Sequence, residues 1–81
     1  MKVSFSKPAR QAFKALPPHI RRKAEKQLRF LEQNLKHPSL HAKKYDEGLD
    51  LWQGRVDKSY RFYFTIDGDT YRIHSFKEHP K

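Results

Sequence analysis

The sequence contains no cysteine, only three glycines and no long apolar run. Without cysteine, neither disulfides nor thiolate metal ligands can stabilise the chain. The short apolar runs exclude a transmembrane helix and the hydrophobic segment of a secretory signal, so we expect a cytoplasmic location and no membrane partner. At 81 residues we expect one small domain spanning 1–81, whose core depends on ordinary hydrophobic packing or on a partner.

Acidic residues are also scarce. The sequence has 9 Asp and Glu but 18 Lys and Arg, which gives a net charge of +9. The excess lies in residues 1–45, which hold 12 basic and 2 acidic residues, whereas residues 46–81 hold 6 and 7. An aromatic content of 14% argues against disorder. A folded domain this basic usually binds a polyanion, so nucleic acid is the first partner to expect and an acidic protein the second.

The first half of the chain predicts a strand followed by a helical hairpin. Residues 2–6 alternate as a short strand, and Ser6 can cap a helix whose first turn contains Pro8. Pro17-Pro18 separates this helix from a second one that is expected to run to about Lys36. The second helix has one apolar stripe, formed by Ile20, Ala24, Leu28, Leu31 and Leu35. Its remaining surface is basic, either as a solvated face or as a polyanion contact that would include Arg21, Arg22 and Lys26.

The second half of the chain predicts a loop over 37–50 and then three strands with a period of two. Asp67-Gly68 is a strong signal for a two-residue hairpin loop between the last two strands. The element order is therefore strand, helix, helix, strand, strand, strand. It predicts an α+β fold, in which a small antiparallel sheet carries the helical hairpin packed on one face.

The alternation predicts that one sheet face is basic and uncovered. Phe62, Phe64, Ile66, Tyr71 and Ile73 should point towards the helices, so the opposite face carries Arg55, Arg61, Tyr63, Arg72 and His74. If Asp67 and Gly68 form the loop, Tyr63 faces Arg72 and Arg61 faces His74.

Such a face suits chemistry on a phosphodiester. Arginine binds phosphate through a fixed fork of donors, histidine transfers protons near neutral pH, and tyrosine stacks on bases. The alternative is an ordinary polar sheet face, on which Arg, Thr and Tyr are common. The five histidines show no metal-ligand spacing and no Gly-rich phosphate loop is present, so we expect no metal and no cofactor.

Several short motifs, taken in order, resemble the RelE/ParE superfamily of bacterial type II toxins, and the RelE-like branch more than the ParE branch. The most telling is Trp52-Gln53-Gly54-Arg55-Val56, followed by Ser59-Tyr60-Arg61-Phe62-Tyr63-Phe64 and Asp67-Gly68-Asp69. The earlier motifs are Ser6-Lys7-Pro8-Ala9-Arg10, residues 16–23, His37-Pro38-Ser39-Leu40 and Lys43-Lys44-Tyr45 before Gly48. The resemblance covers nearly the whole chain and matches the element order given above.

The resemblance implies a ribosome-dependent endoribonuclease that cuts mRNA in the ribosomal A site, uses the RNA's own 2′-hydroxyl as nucleophile and needs no metal. Arg61 and Arg55 match arginines of the family's strand motifs, and Gln53 stands where RelE itself has a basic residue. Lys43 and Lys44 lie where some relatives carry a carboxylate base. His79 lies near a C-terminal histidine of several relatives and is the best acid or base, with Lys77 beside it. A cognate antitoxin, acidic or amphipathic, would cover basic surface.

One departure from the family keeps other functions open. Many active relatives end in a tyrosine that stacks on the mRNA base, and no tyrosine follows Tyr71 here, so Tyr63 would take that role and the cleavage rate would be modest. The alternatives are a ParE-like inhibitor of DNA gyrase, which binds a protein and cleaves nothing, and a degenerate homologue that only binds its antitoxin or RNA.

Overall fold

A computed structural model describes residues 1–79 and confirms the expected α+β class; Pro80 and Lys81 lie outside the described residues. The helices are α1 (Lys7–Ala15) and α2 (Pro18–Gln33). The strands are β1 (Lys2–Phe5), β2 (Lys43–Asp46), β3 (Leu51–Arg55), β4 (Tyr60–Asp67) and β5 (Thr70–Glu78), with a short 3₁₀ turn at Pro38–Leu40. No helix within residues 1–79 combines the length and apolar character needed to cross a membrane.

The five strands form one sheet in the order β1-β5-β4-β3-β2. All neighbours are antiparallel except β1, which runs parallel to β5. The loop prediction for residues 37–50 is therefore wrong in part, since it contains the 3₁₀ turn and the edge strand β2. Lys43 pairs with Gln53 and Lys44 with Trp52, so β3 supplies the backbone partners that make this polar segment a strand.

The helical hairpin forms for the expected local reasons. The Ser6 hydroxyl accepts a hydrogen bond from the Ala9 amide at 3.2 Å and caps α1, while Pro18 begins α2. Ile20, Ala24, Leu28 and Leu31 of the apolar stripe are buried as predicted, but α2 ends at Gln33, short of Lys36, so Leu35 lies beyond the helix and is only partly buried.

The core lies between the helices and one face of the sheet. Phe62, Phe64 and Ile73 are fully buried there, and Phe76 of β5 joins them. Ile66 was expected to face the helices, but it is 37% exposed because it lies near the free end of the β4–β5 hairpin. No helix of residues 1–79 packs against the opposite sheet face, which holds the candidate site.

The hairpin loop is one residue later than predicted. Asp67 pairs with Thr70, so Gly68 and Asp69 form the loop, and Gly68 takes a left-handed φ of +57° that a glycine adopts without strain. The predicted partners of the β4 side chains are therefore wrong at the start of β5.

A bulge in the β4–β5 pairing moves the register again at His74. Phe64 pairs with Ile73, but Tyr63 pairs with Ser75, so one extra residue of β5 has no partner on β4. As a result Tyr63 faces Ser75 and Arg61 faces Lys77, in place of the expected Arg72 and His74.

Candidate functional site

Three basic residues lie in one row across three neighbouring strands of the uncovered face. Arg55 of β3 pairs directly with Arg61 of β4, and Arg61 pairs with Lys77 of β5. Directly opposed like charges destabilise a sheet. The ion pairs within residues 1–79 are Lys23–Asp57, Lys44–Glu47 and Lys44–Asp50, so no acid neutralises this basic row. The row is therefore suited to hold an anion.

Arg61 is buried, with 7% of its surface exposed, and hydrogen bonds hold its side chain in place. Its Nη1 donates hydrogen bonds to the backbone carbonyls of Asp57, Lys58 and Tyr60 at 2.5, 3.4 and 3.0 Å. These contacts fix the guanidinium against the β3–β4 turn without neutralising its charge. Arg61 is therefore preorganised, which is the condition under which a cation best stabilises a developing negative charge.

The carboxylate of Asp57 organises that turn. Its Oδ1 accepts hydrogen bonds from the amides of Ser59 and Tyr60 at 2.8 and 2.9 Å, and Lys23 lies 3.3 Å from Oδ2. Burial opposes ionisation, but the two amides and the Lys23 ammonium outweigh it and hold the pKa of Asp57 below its ordinary value of 3.8. The carboxylate is thus ionised and already occupied at neutral pH.

A cleft of about 470 Å³ opens beside the basic row. Its lining is mostly polar and comprises His41, Ala42, Lys43, Gln53, Arg55, Arg61 and His79. Within residues 1–79 the Nε of Arg55 is buried and has no hydrogen-bond partner, which is costly unless a ligand accepts from it. We call this the phosphate cleft.

The β3–β4 turn also positions His79 at the phosphate cleft. Its backbone amide donates to the carbonyl of Ser59 at 2.5 Å, so the end of the described chain is fastened to the β3–β4 turn. The side chain of His79 is exposed and lines the cleft beside Arg61. An exposed imidazole at this position can exchange protons with solvent and with a ligand.

The structure brings together about half of the residues predicted for the site. The predicted Arg55, Arg61, His79, Lys43 and Gln53 all line the phosphate cleft. The predicted Tyr63 and Lys77 line an adjoining cleft on the same sheet face.

Other predicted residues lie elsewhere. Lys44 is separated from Lys43 because successive strand residues point to opposite faces; its Nζ lies 5.2 Å from the Trp52 ring and pairs with Asp50 at 3.0 Å. Arg72 pairs with Thr65, and His74 Nε2 is 2.8 Å from the Thr65 hydroxyl, nearer the hairpin end.

The basic residues of α2 lie on the helical layer, which covers the other face of the sheet. Arg21 reaches the Lys14 carbonyl at 3.5 Å, and Lys26 lies over the Phe30 ring at 5.8 Å. Arg22 is exposed on the same helix. These three residues, Arg21, Arg22 and Lys26, are therefore not brought to the phosphate cleft.

Sequence reasoning missed His41, Ala42 and Tyr45, which reach the uncovered face through the segment predicted as a loop. The segment Lys43-Lys44-Tyr45-Asp46 has no alternation of apolar and polar residues, so its own sequence carried no clear signal for a strand.

Comparisons with known proteins support the fold. No family model and no curated protein sequence matches the chain. Among solved structures, it is similar to a YoeB/ParE toxin from Agrobacterium tumefaciens, with 12% identity, 99% of this chain and 100% of that chain covered, and a TM-score of 0.81.

Two toxin–antitoxin complexes are also similar. The YoeB-YefM complex from Staphylococcus aureus gives 20% identity, 99% and 98% coverage and a TM-score of 0.78. The RelBE2 complex from Mycobacterium tuberculosis gives 21% identity, 99% and 92% coverage and a TM-score of 0.80. The expected resemblance to the RelE/ParE superfamily is thus confirmed at the level of the fold.

Proposed function

We propose that this protein is the toxin of a type II toxin–antitoxin pair and that it acts in the cytoplasm as a ribosome-dependent endoribonuclease, cleaving mRNA in the A site. The observation that carries the proposal is the basic row of Arg55, Arg61 and Lys77, which lies beside an open cleft and has no acidic partner within residues 1–79. A phosphodiester supplies the negative charge that this row lacks. A toxin fold makes mRNA the substrate to test first.

The reaction uses the ribose of the substrate as nucleophile. The 2′-oxygen attacks the adjacent phosphorus while the bond from phosphorus to the 5′-oxygen breaks, giving a 2′,3′-cyclic phosphate and a free 5′-hydroxyl. The negative charge that builds on the phosphoryl oxygens is stabilised by the fixed guanidinium of Arg61 and by Arg55, whose buried Nε has no protein acceptor within residues 1–79.

Two protons must move during this step. One leaves the 2′-hydroxyl and one must reach the departing 5′-oxygen. His79 is the residue of the phosphate cleft best suited to one of these transfers, as acid or as base, since its imidazole is exposed beside Arg61, and solvent water in the open cleft serves the other. Lys43, which lines the same cleft from the edge strand β2, adds positive charge.

An acidic or amphipathic antitoxin is the partner implied by the same surface. Similar structures include a toxin bound to YefM and a toxin bound to RelB. A net charge of +9 and an exposed basic sheet face favour a partner of opposite charge, which would shield the phosphate cleft.

The test is induced expression in a bacterial host, with mapping of mRNA 5′ ends. Wild-type protein should arrest growth and produce cuts at A-site codons, whereas Arg61→Ala should relieve both. Because Arg61 also satisfies three turn carbonyls, Arg55→Ala serves as a second variant with fewer structural contacts. Arg29→Ala, on the exposed surface of α2, is the matched control and should behave as wild type.

Other outcomes assign the protein differently. Arrest with intact mRNA and gyrase-linked DNA damage would identify a ParE-like gyrase inhibitor. No arrest by wild-type protein, together with retained binding to an antitoxin or to RNA, would identify a homologue without catalytic activity.

A further inference from the structure

A second cleft lies on the uncovered sheet face, and the proposed phosphate chemistry does not use it. It has a volume of about 120 Å³ and lies between Tyr45, Leu51, Tyr63, Ser75 and Lys77. Two aromatic rings, one aliphatic side chain and one cation make it partly apolar, unlike the polar phosphate cleft. A ligand for it needs a flat apolar surface with a polar edge.

Tyr45 is the residue of this cleft that needs an explanation. It projects from the edge strand β2 and is 59% exposed, although its ring is large and apolar. Its position is nevertheless defined, because the Tyr45 and Tyr63 rings make an edge contact with centroids 4.9 Å apart and planes at 65°. An exposed aromatic ring held in place on a basic surface is typical of proteins that stack unpaired bases.

Tyr63 connects the two clefts. Its hydroxyl donates to Oε1 of Gln53 at 3.3 Å, and Gln53 lines the phosphate cleft. Burial and the nearby Tyr45 raise the pKa of the Tyr63 phenol despite the opposing effect of Arg61, so the phenol stays neutral and does not repel a phosphate. Tyr63 follows Arg61 by two residues on β4, a distance of about 7 Å at the usual rise of a strand, which is within the length of one nucleotide.

From this arrangement we infer that the second cleft is a nucleobase subsite, in which a base next to the phosphate held by Arg55 and Arg61 stacks on the ring of Tyr45. Lys77 pairs with Arg61 in the sheet and also lines the second cleft. It is therefore placed to contact the RNA backbone where the RNA passes from one cleft to the other. This inference rests on the proposed function, because it takes single-stranded RNA as the ligand. Stacking accepts any base, so Tyr45 should contribute affinity with little base preference.

The experiment measures binding of a labelled six-nucleotide single-stranded RNA at low salt, by fluorescence anisotropy, to full-length wild type and three variants. Tyr45→Leu keeps apolar bulk but removes the aromatic face and should weaken binding about tenfold, the usual size of one stacked base. Tyr45→Phe keeps the face and should bind as wild type. Leu49→Ala alters another exposed apolar residue, outside the cleft, and is the matched control.

A set of RNAs with one abasic nucleotide at each position in turn identifies the stacked base. At one position, the abasic nucleotide should weaken RNA binding by wild type about tenfold and leave RNA binding by Tyr45→Leu unchanged. Equal affinities of wild type and Tyr45→Leu, or a loss in Tyr45→Phe as large as that in Tyr45→Leu, would overturn the subsite while leaving the nuclease proposal intact. Wild-type protein that binds no RNA even at low salt would overturn the subsite together with the RNA-binding basis of the proposed function. Thermal unfolding of each variant shows whether a loss of binding reflects loss of the fold.

Discussion

Asp57 holds Arg61 through its backbone carbonyl and not through its carboxylate. The Nη1 of Arg61 donates to the Asp57 carbonyl, while the Asp57 carboxylate accepts from two turn amides and pairs with Lys23. The carboxylate of Asp57 is therefore used to shape the turn, and the positive charge of Arg61 remains available to a ligand. Asp57 is thus a positioning residue for Arg61.

We expect Asp57→Ala to lower the free energy of unfolding by about 1 to 3 kcal/mol, because two part-buried amides lose their acceptor. RNA cleavage should fall more than the population of folded protein does, since the carbonyls that hold Arg61 would move. Asp57→Asn keeps an acceptor oxygen and should retain most of the stability. Chemical denaturation and the cleavage assay check both, and an Asp57→Ala protein that is folded and fully active would contradict the positioning role.

The lowered pKa of Asp57 also predicts how stability depends on pH. Since its folded pKa lies below the ordinary value of 3.8, the contribution of Asp57 is fully present above that value and is lost as the pH falls through the folded pKa. As the pH is lowered from 5 through the folded pKa of Asp57, the free energy of unfolding of wild type should therefore fall more than that of Asp57→Asn. Parallel denaturation curves at several pH values measure the difference, and identical pH profiles would count against it.

Gly54 is required by the ring of Phe62. A Cβ placed on Gly54 would lie 2.3 Å from Cζ of that fully buried ring, far inside van der Waals contact. We expect Gly54→Ala to destabilise the protein by about 1 to 3 kcal/mol through overpacking. Gly48→Ala meets only Asp46 Oδ1, at 3.4 Å, and serves as the control in the same thermal unfolding measurement.

We expect Arg55 to contribute to RNA binding and cleavage and, at the same time, to lower the stability of the fold. It faces Arg61 directly and buries an Nε without a partner within residues 1–79. Arg55→Met should therefore raise the free energy of unfolding by about 0.5 to 1 kcal/mol while it weakens RNA binding and cleavage. Lys58→Met, in the adjacent turn, removes the same charge from an exposed position and should change neither property much. An Arg55→Met protein that is less stable than wild type would show that Arg55 serves the fold.

Salt dependence gives an independent measure of the basic row. Each phosphate contact to single-stranded nucleic acid adds about 0.7 to the slope of log affinity against log salt. Lys77→Gln should reduce the slope by about that amount, whereas Lys14→Gln on α1 should not. Slopes taken from binding isotherms at four or five salt concentrations test this, and RNA binding by wild type that is indifferent to salt would contradict an electrostatic site.

Local rules predicted the elements whose causes are local. The Ser6 cap, Pro18 and the apolar stripe of α2 specify the helical hairpin within a few residues of sequence. The strict alternation of Phe62 and Phe64 with Arg61 and Tyr63 specified which face of β4 packs into the apolar core. Strand β2 escaped prediction because its partner β3, and not its own composition, makes it a strand.

The sequence by itself determined the fold class, the basic character of the uncovered face and the inclusion of Arg55 and Arg61 in it, because side-chain alternation and net charge are properties of the chain. Only the tertiary structure decided which residues meet. The shifted hairpin loop and the bulge at His74 brought Lys77 opposite Arg61 and left Arg72 nearer the hairpin end. Strand β2 pairs with β3 on both sides of Tyr45, and this brought Tyr45 to the site and turned Lys44 away. Register depends on contacts between distant segments, and a shift of one residue changes every cross-strand neighbour.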